Sequence, residues 1–321
     1  MSLHRRLGSR AVLRKPQSGL ASEPSQDDCL GGQGMLTPVG PAYVIDSPPF
    51  AGVRAPTQRP APHLWQRLQL IYGVGPVTEA ELRAQGYHDV RALCDHPRWG
   101  TRAREVVEYI DNRDIARLRL AGARDSELLT FFEPHEIAVM DIETAGFARA
   151  LPVFLIGVAW SDGRDWYIRQ FVARQFDEEG GVLYLASRFL SEYSVLVSYN
   201  GRAFDEPFVG ARLMFHGIPR PSFILHYDMY QEVRQLRAAL DNCRLSTVAR
   251  HIFDSDRGDD IPGHLVPELY YTYVQDRCPE LLLRIIEHNV KDLKDLCRLL
   301  DVNLLFPGDR EWLKKAVGDD G

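Results

Sequence analysis

Two carboxylates follow an apolar run in the segment IAVMDIET, residues 137–144. The run has the length and the β-branched content of a buried strand. Side chains alternate between faces along a strand, so Asp141 and Glu143 point the same way. Two like charges side by side repel each other, and burying them without a partner is costly. A divalent cation between them would remove that cost; the alternative is an exposed strand end with two solvated acids.

A third acid follows a second apolar run, in the segment VSYNGRAFDEPF, residues 197–208. Here a buried strand ends at the Asn-Gly turn of residues 200–201, and a helix begins at Asp205. Helix capping alone explains this acid, because Asp is a preferred N-cap residue and Glu206 and Pro207 suit a first helical turn. In an open sheet, however, neighbouring strand ends converge on one crevice. Asp205 would then face Asp141 and Glu143.

The third chemical stretch is a helix predicted over about 279–303. His288 and Asp292 are four residues apart, which places them on one helix face about 6 Å from each other. Lys291 and Lys294 nearby are typical of a solvated face. A helix that returns over the first strand would instead bring the His-Asp pair to the carboxylates. The apolar stripe that would pack such a helix is Leu282, Ile285, Ile286, Leu293, Leu296 and Leu300.

The elements that must position these residues alternate between strands and helices from 127 to 306. Apolar or alternating segments predict strands at 137–143, 153–160, 166–172, 195–199 and 223–227, with helices near 178–193 and 206–216. The short spacer 161–164 joins the second and third strands as a hairpin. Three consecutive strands followed by strand-helix-strand-helix is the order of a ribonuclease H-like sheet. We therefore predict an α/β fold with a mixed five-stranded sheet flanked by helices.

The ends of the chain lack this pattern. Residues 1–60 are predicted to form a disordered or loosely ordered tail, because they are rich in Gly, Pro, Ser and Gln and have no longer apolar segment than AYVI at 42–45. That short piece could add one strand. Residues 307–321 are predicted to be a C-terminal tail.

Residues 61–126 are predicted to form a small helical unit around the turn Gly73-Val74-Gly75. Two glycines let a tight turn approach another backbone closely. The helix predicted to begin at Thr78 and Glu79 has free N–H groups that can bind a phosphate oxygen. The segment resembles the helix-hairpin-helix motif, a sequence-independent binder of nucleic-acid backbones, although Glu79 replaces a small residue. A plain helical hairpin with a glycine turn explains the pattern equally well.

Composition narrows the class of protein. The 321 residues are 45% hydrophobic and 26% charged, which predicts a soluble globular protein. A net charge of −6 argues against binding to nucleic acid by bulk electrostatics alone, but metal ions on carboxylates would reverse the local sign. No apolar run approaches the ~18 residues of a membrane span. Five scattered cysteines without metal-ligand spacing predict reduced thiols and a cytoplasmic location.

Together these stretches resemble the DEDD exonucleases, and most closely the YprB-like branch of the ribonuclease H-like superfamily. The resemblance covers about 137–300. Its motifs are DIET at 141–144, SYNG to FD at 198–205, and HN to D at 288–292, with smaller matches at 226–228, 245–246 and 260–263. Ala145 and Phe147 depart from the common pattern. His288 precedes Asp292 by four residues, as Tyr does in one subclass, rather than by five.

The resemblance implies a two-metal nuclease that hydrolyses phosphodiester bonds of DNA or RNA from a 3′ end. Two Mg²⁺ or Mn²⁺ ions about 4 Å apart would stabilise the attacking and leaving oxygens. His288 would orient the attacking water or accept its proton. The implied metal ligands are Asp141, Glu143, Asp205 and Asp292, and the implied nucleic-acid contacts are Thr144, Asn200, Gly73 and Gly75. Two alternatives stay open: a non-catalytic nucleic-acid-binding module, and a structure-selective endonuclease on the same fold. The sequence indicates no protein partner and no membrane.

Overall fold

The computed structural model describes residues 30–52, 62–234, 240–255 and 257–305. Its centre is a seven-stranded mixed sheet in the order β1-β2-β5-β4-β3-β6-β7. The strands β3, β6 and β7 run parallel, so their carboxyl ends lie at one edge of the sheet, and the other neighbours pair antiparallel. The strands are β1 Gln33–Thr37, β2 Gly40–Ala51, β3 Ile137–Thr144, β4 Val153–Ser161, β5 Asp165–Val172, β6 Val195–Ser198 and β7 Leu225–Asp228.

Helices cover both faces of this sheet. Five precede β3: α1 Pro62–Gln66, α2 Pro76–Ala84, α3 Gly100–Asp111, α4 Ile115–Leu120 and α5 Asp125–Leu128. Six follow β5: α6 Glu179–Leu190, α7 Asp205–Phe215, α8 Tyr230–Val233, α9 Leu245–Phe253, α10 Val266–Asp276 and α11 Pro279–Leu305. None of the helices within these described ranges is long and apolar enough to cross a membrane.

Strand β3 separates two apolar cores. Ile137 and Val139 belong to the core that also holds the N-terminal helices and the second half of α11. Ala138, Met140 and Ile142 belong to the opposite core, with α6, α7, α10 and the first half of α11. The alternation along the strand is therefore the one the sequence predicts. It puts Asp141 and Glu143 on the face of the first core, under the middle of α11.

The fold prediction is confirmed, and the sheet is larger than predicted. All five predicted strands are present, and residues 33–51 add a hairpin at the edge of β5 instead of forming a loose tail. Ala42–Ile45 are buried there. A short apolar segment without periodicity is ordered because the open edge of β5 offers it backbone hydrogen bonds. Residues 1–29 and 53–60 of the predicted N-terminal tail, and the predicted C-terminal tail 307–321, lie outside the described residues.

Side chains of the helices α1–α5 share an apolar core with β3. Leu64, Leu118 and Leu128 are fully buried in the same core as Ile137 and Val139. Glu127, whose side chain is also fully buried, accepts hydrogen bonds from Arg67 Nη1 at 2.5 Å and from Arg124 Nη2 at 2.9 Å. The predicted boundary at 126 thus falls inside α5 and divides one continuous core.

The glycine turn of this helical segment has the predicted tightness. Gly73 has φ +92°, a left-handed conformation that favours glycine. Gly75 is the N-cap of α2, so this helix begins at Pro76 rather than at Thr78. Proline suits this first position because its missing N–H would have no partner there.

Candidate metal-dependent active site

The carboxyl edge of the parallel strands gathers the predicted acids. Asp141 and Glu143 stand near the end of β3, and Asp205 is the first residue of α7, which follows β6 after a short turn. Asp292 lies on α11, which packs across β3 and β4. Glu143 and Asp205 are buried, with 9% and 6% of their surface exposed.

The charges of these acids act on one another. Burial raises the pKa of Asp141 well above its usual range, and the negative charges of Asp292 and Asp205 raise it further. Burial likewise raises the pKa of Glu143 well above its usual range, with the charges of Asp141 and Asp292 adding to the effect. Burial and the charge of Asp228 raise the pKa of Asp205 to about 8. The structure thus brings the four predicted acids into one electrostatic cluster.

Asn289 connects this cluster to the sheet. Its Nδ2 donates a hydrogen bond of 2.7 Å to Asp141 Oδ2, and its Oδ1 accepts one of 2.8 Å from Gln170 Nε2. Both Asn289 and Gln170 are fully buried. Gly157 lies opposite Asp141 in β4, and a Cβ there would be 2.1 Å from Asn289 Oδ1. The sequence motif contains Asn289, but only the packing of α11 on Gly157 shows that it orients Asp141.

His288 faces inward and not toward solvent. Only 7% of its surface is exposed. Its Nδ1 lies 3.0 Å from Asp260 Oδ1, and its Nε2 lies 3.5 Å from Asp292 Oδ2. Lys291 Nζ lies 3.5 Å from the same Asp260 oxygen. The imidazole is therefore fixed between two carboxylates, which excludes the solvated-face alternative for this helix.

Arg257 was not singled out by the sequence patterns. It belongs to the loop between α9 and α10. Its side chain is only 11% exposed, and its Nη1 lies 2.5 Å from Asp292 Oδ1. Its Nη2 lies 2.6 Å from Asp295 Oδ2, and Nη1 lies 3.3 Å from Asp260 Oδ2. The only sequence feature that could have indicated this role is a single arginine among the aspartates of residues 254–260.

The donor chemistry fits divalent cations. Buried carboxylates that repel one another are stabilised by a hard cation with oxygen ligands. As they stand, no three His, Cys, Asp or Glu side chains in the described ranges converge closely enough to hold an ion. Two of the acids have other partners: Asn289 binds Asp141, and Arg257 binds Asp292. The four predicted ligands are thus in one cluster, and their metal binding stays a prediction.

The predicted nucleic-acid contacts lie in three turns. Thr144 is buried, and its Oγ1 donates a hydrogen bond of 2.8 Å to Gly146 O in the loop after β3. Asn200 has φ +61°, and its N–H donates to Asp228 Oδ1 at 2.7 Å. Gly73 lines a cavity of about 390 Å³ on the helical segment, beside Arg102.

Asp228 is a structural residue of the second turn. Its carboxylate accepts N–H groups from Asn200, Arg202 and Tyr230 at 2.7–3.1 Å. These bonds hold the turn that leads from β6 to Asp205. Close to it, Ser198 Oγ lies 2.8 Å from His226 Nε2, and Glu206 Oε2 lies 3.4 Å from His226 Nδ1. That order resembles a nucleophilic triad, but Ser198 is fully buried and beyond the reach of a substrate.

Comparison with known proteins agrees with this fold. A model of the RNase H superfamily matches residues 138–303, just over half of the chain. The chain therefore belongs to the RNase H superfamily, as the sequence motifs predict. The uncharacterized protein YprB of Bacillus subtilis (strain 168) is 31% identical over 203 residues, which are 61% of this chain and 46% of that protein. The chain thus spans slightly less than half the length of this curated relative, and the predicted resemblance to YprB is confirmed.

Among solved structures, the family B DNA polymerase from the hyperthermophilic archaeon Pyrobaculum calidifontis is similar over 58% of this chain and 27% of its own. The TM-score is 0.45 and the sequence identity is 22%.

Proposed function

We propose that this protein is a metal-dependent nuclease that hydrolyses phosphodiester bonds of DNA or RNA and releases nucleotides from a 3′ end. Membership in the RNase H superfamily supports the nuclease class. The observation that carries the proposal is the cluster of Asp141, Glu143, Asp205 and Asp292. Burial raises the pKa values of Asp141 and Glu143, and the negative charges of neighbouring acids raise them further. Such a cluster is costly to the fold and is stabilised when cations bind.

In the proposed mechanism, these four acids would hold two Mg²⁺ or Mn²⁺ ions, which would activate a water molecule and stabilise charge on the phosphate oxygens. The protein's own contribution is orientation. Asn289 fixes Asp141 through Nδ2, and Asp260 fixes the ring of His288 through Nδ1. His288 Nε2 would then accept the proton of the attacking water.

Substrate contacts are proposed at the turns beside this cluster and at the helical segment. Thr144 and Asn200 flank the acids along the chain and would contact the terminal nucleotide. Gly73 and Gly75 would contact the phosphate backbone farther along the strand, through free N–H groups at the start of α2. The free thiols of Cys94, Cys243, Cys278 and Cys297 fit the reducing cytoplasm, where we propose that the enzyme acts.

The test uses 5′-labelled single- and double-stranded DNA and RNA with Mn²⁺. A ladder of shortened products from the 3′ end supports the exonuclease. Internal cuts would indicate an endonuclease, and binding without cleavage would indicate a non-catalytic module. Asp141→Ala should lower the cleavage rate by at least about 100-fold without unfolding the protein. Asp46→Ala is the control, because it removes an acid from β2 of the same sheet, where Asp46 pairs with Arg169. Full cleavage by Asp141→Ala would remove the mechanism.

A further inference from the structure

Arg257 is bound to acids on two sides, and the two sides differ. On one side, Nε and Nη2 lie 2.9 and 2.6 Å from the same oxygen of Asp295. The side chain of Asp295 is 4% exposed, so this pair is shielded from water. On the other side, Nη1 lies 2.5 Å from Asp292 Oδ1 and 3.3 Å from Asp260 Oδ2. Asp295 is therefore the anchor of the guanidinium, and Nη1 is the part that reaches the cluster.

The ion pair between Arg257 and Asp292 is not needed to compensate the charge of the buried guanidinium. The anchor Asp295 already compensates the buried guanidinium, whereas Asp292 is one of the four acids that the proposed function assigns to cations. Nη1 occupies one of the two Asp292 oxygens, Oδ1, and the other, Oδ2, lies 3.5 Å from His288 Nε2. A fixed positive charge beside this carboxylate relieves the repulsion within the cluster and also opposes the entry of a second positive charge.

We propose that Arg257 is the resident counter-ion of Asp292 and limits how tightly, and in what number, divalent cations bind the cluster. The cation and Nη1 compete for the Asp292 carboxylate, and Asp295 keeps the guanidinium in place when the cation takes it. Arg257 is thus a positioning residue that tunes metal occupancy. This inference rests on the proposed function, because it takes Asp292 as a metal ligand.

The test is calorimetric titration of Mn²⁺ into metal-free protein, which needs no substrate. Arg257→Gln should bind Mn²⁺ at least about tenfold more tightly than the wild type, or gain a second equivalent; tenfold corresponds to about 1.4 kcal/mol. The matched control is Arg298→Gln. Arg298 Nη1 lies 3.9 Å from the other oxygen of Asp295, and its side chain is 54% exposed, so the same charge is lost away from Asp292. Its affinity should stay within about twofold of the wild type, since exposed ion pairs contribute little.

Thermal unfolding with and without Mn²⁺ gives a second readout. Metal-free Arg257→Gln should melt below the wild type, because three acids lose a partner, and Mn²⁺ should raise its melting temperature more than that of the wild type. If the metal-free variant is unfolded, the proposal requires that Mn²⁺ folds it. A variant that stays unfolded at saturating Mn²⁺, or that binds Mn²⁺ no more tightly than the wild type, overturns the inference. If neither protein binds Mn²⁺, the proposed function fails; if the wild type binds and the variant gains nothing, only the role of Arg257 fails.

Discussion

Gly157 is the point where α11 packs on the sheet behind Asp141, and its replacement by alanine is the sharpest test of this packing. A Cβ at position 157 would lie 2.1 Å from Asn289 Oδ1 and 2.7 Å from Leu293 Cδ1. Real Cβ atoms do not approach other heavy atoms so closely, so the side chains of Asn289 and Leu293 must shift, or α11 must move away from β4. Either change displaces Asn289 from Asp141, and a movement of α11 would also displace His288 and Asp292.

The size of the effect follows from two contributions. Forcing an extra methyl group into a packed core costs about 1–3 kcal/mol. Displacing Asn289 from Asp141 and Gln170 leaves buried polar groups without partners, which costs about 1–3 kcal/mol more. Gly157→Ala should therefore destabilise the protein by about 2–6 kcal/mol. A domain of this size loses about 2–4 °C of melting temperature per kcal/mol, so a fall of about 4–24 °C is expected.

The assay is thermal unfolding followed by circular dichroism, in EDTA so that metal binding does not contribute. Gly34→Ala is the matched control, since Gly34 lies in β1 of the same sheet and nothing stands within 4 Å of its Cβ position. The control should melt within about 2 °C of the wild type. A Gly157→Ala protein that also melts within 2 °C would refute the packing described here, and with it the placement of Asn289 against Asp141.

Two further predictions concern charge. Asp205 has a pKa of about 8 in the folded protein, against about 3.9 in an unfolded chain, so the folded state holds a proton that the unfolded state releases between about pH 4 and 8. The free energy of unfolding of the metal-free protein, measured with urea in EDTA, should therefore fall as pH rises through this window. This group contributes a fall of at most about 1.4 kcal/mol per pH unit. A rise in the free energy of unfolding would contradict the burial of Asp205. At the N-terminus of α2, Gly75→Asp meets no steric obstacle and should weaken the binding of a labelled oligonucleotide about two- to fivefold in fluorescence anisotropy at low salt, because it repels phosphate. Gly75→Ser can cap α2 in the same way but stays neutral, so it should bind more tightly than Gly75→Asp; equal binding by both variants would exclude this turn from the substrate path.

Local patterns were sufficient wherever the cause was local. The alternation of residues 137–144 predicts which face of β3 carries Asp141 and Glu143, because strand geometry leaves two faces only. The spacing of four predicts that His288 and Asp292 share a face of α11. In both cases the regular repeat of the backbone sets the direction of the side chains, and the structure agrees with these predictions.

Features that depend on distant partners could not be predicted in this way. Apart from the short apolar run AYVI at 42–45, residues 33–51 carry no strand pattern. They form strands because they pair with the edge of β5, more than a hundred positions later in the chain. The burial of Glu127 and Leu128, beside the boundary predicted at 126, has the same cause, since both are buried against residues far apart in the chain.

The sequence by itself determined the superfamily and the order of the strands and helices from 137 onward, because periodicity and motif order are properties of neighbouring residues. It also predicted four acids and one histidine as the residues of the candidate site. Only the tertiary structure decided what surrounds those side chains. Asn289 binds Asp141 because Gly157 lets α11 approach β4, and Arg257 binds Asp292 because a loop from another part of the chain folds back over the same helix. Burial and charge at the site arise from these long-range contacts, which no local pattern records.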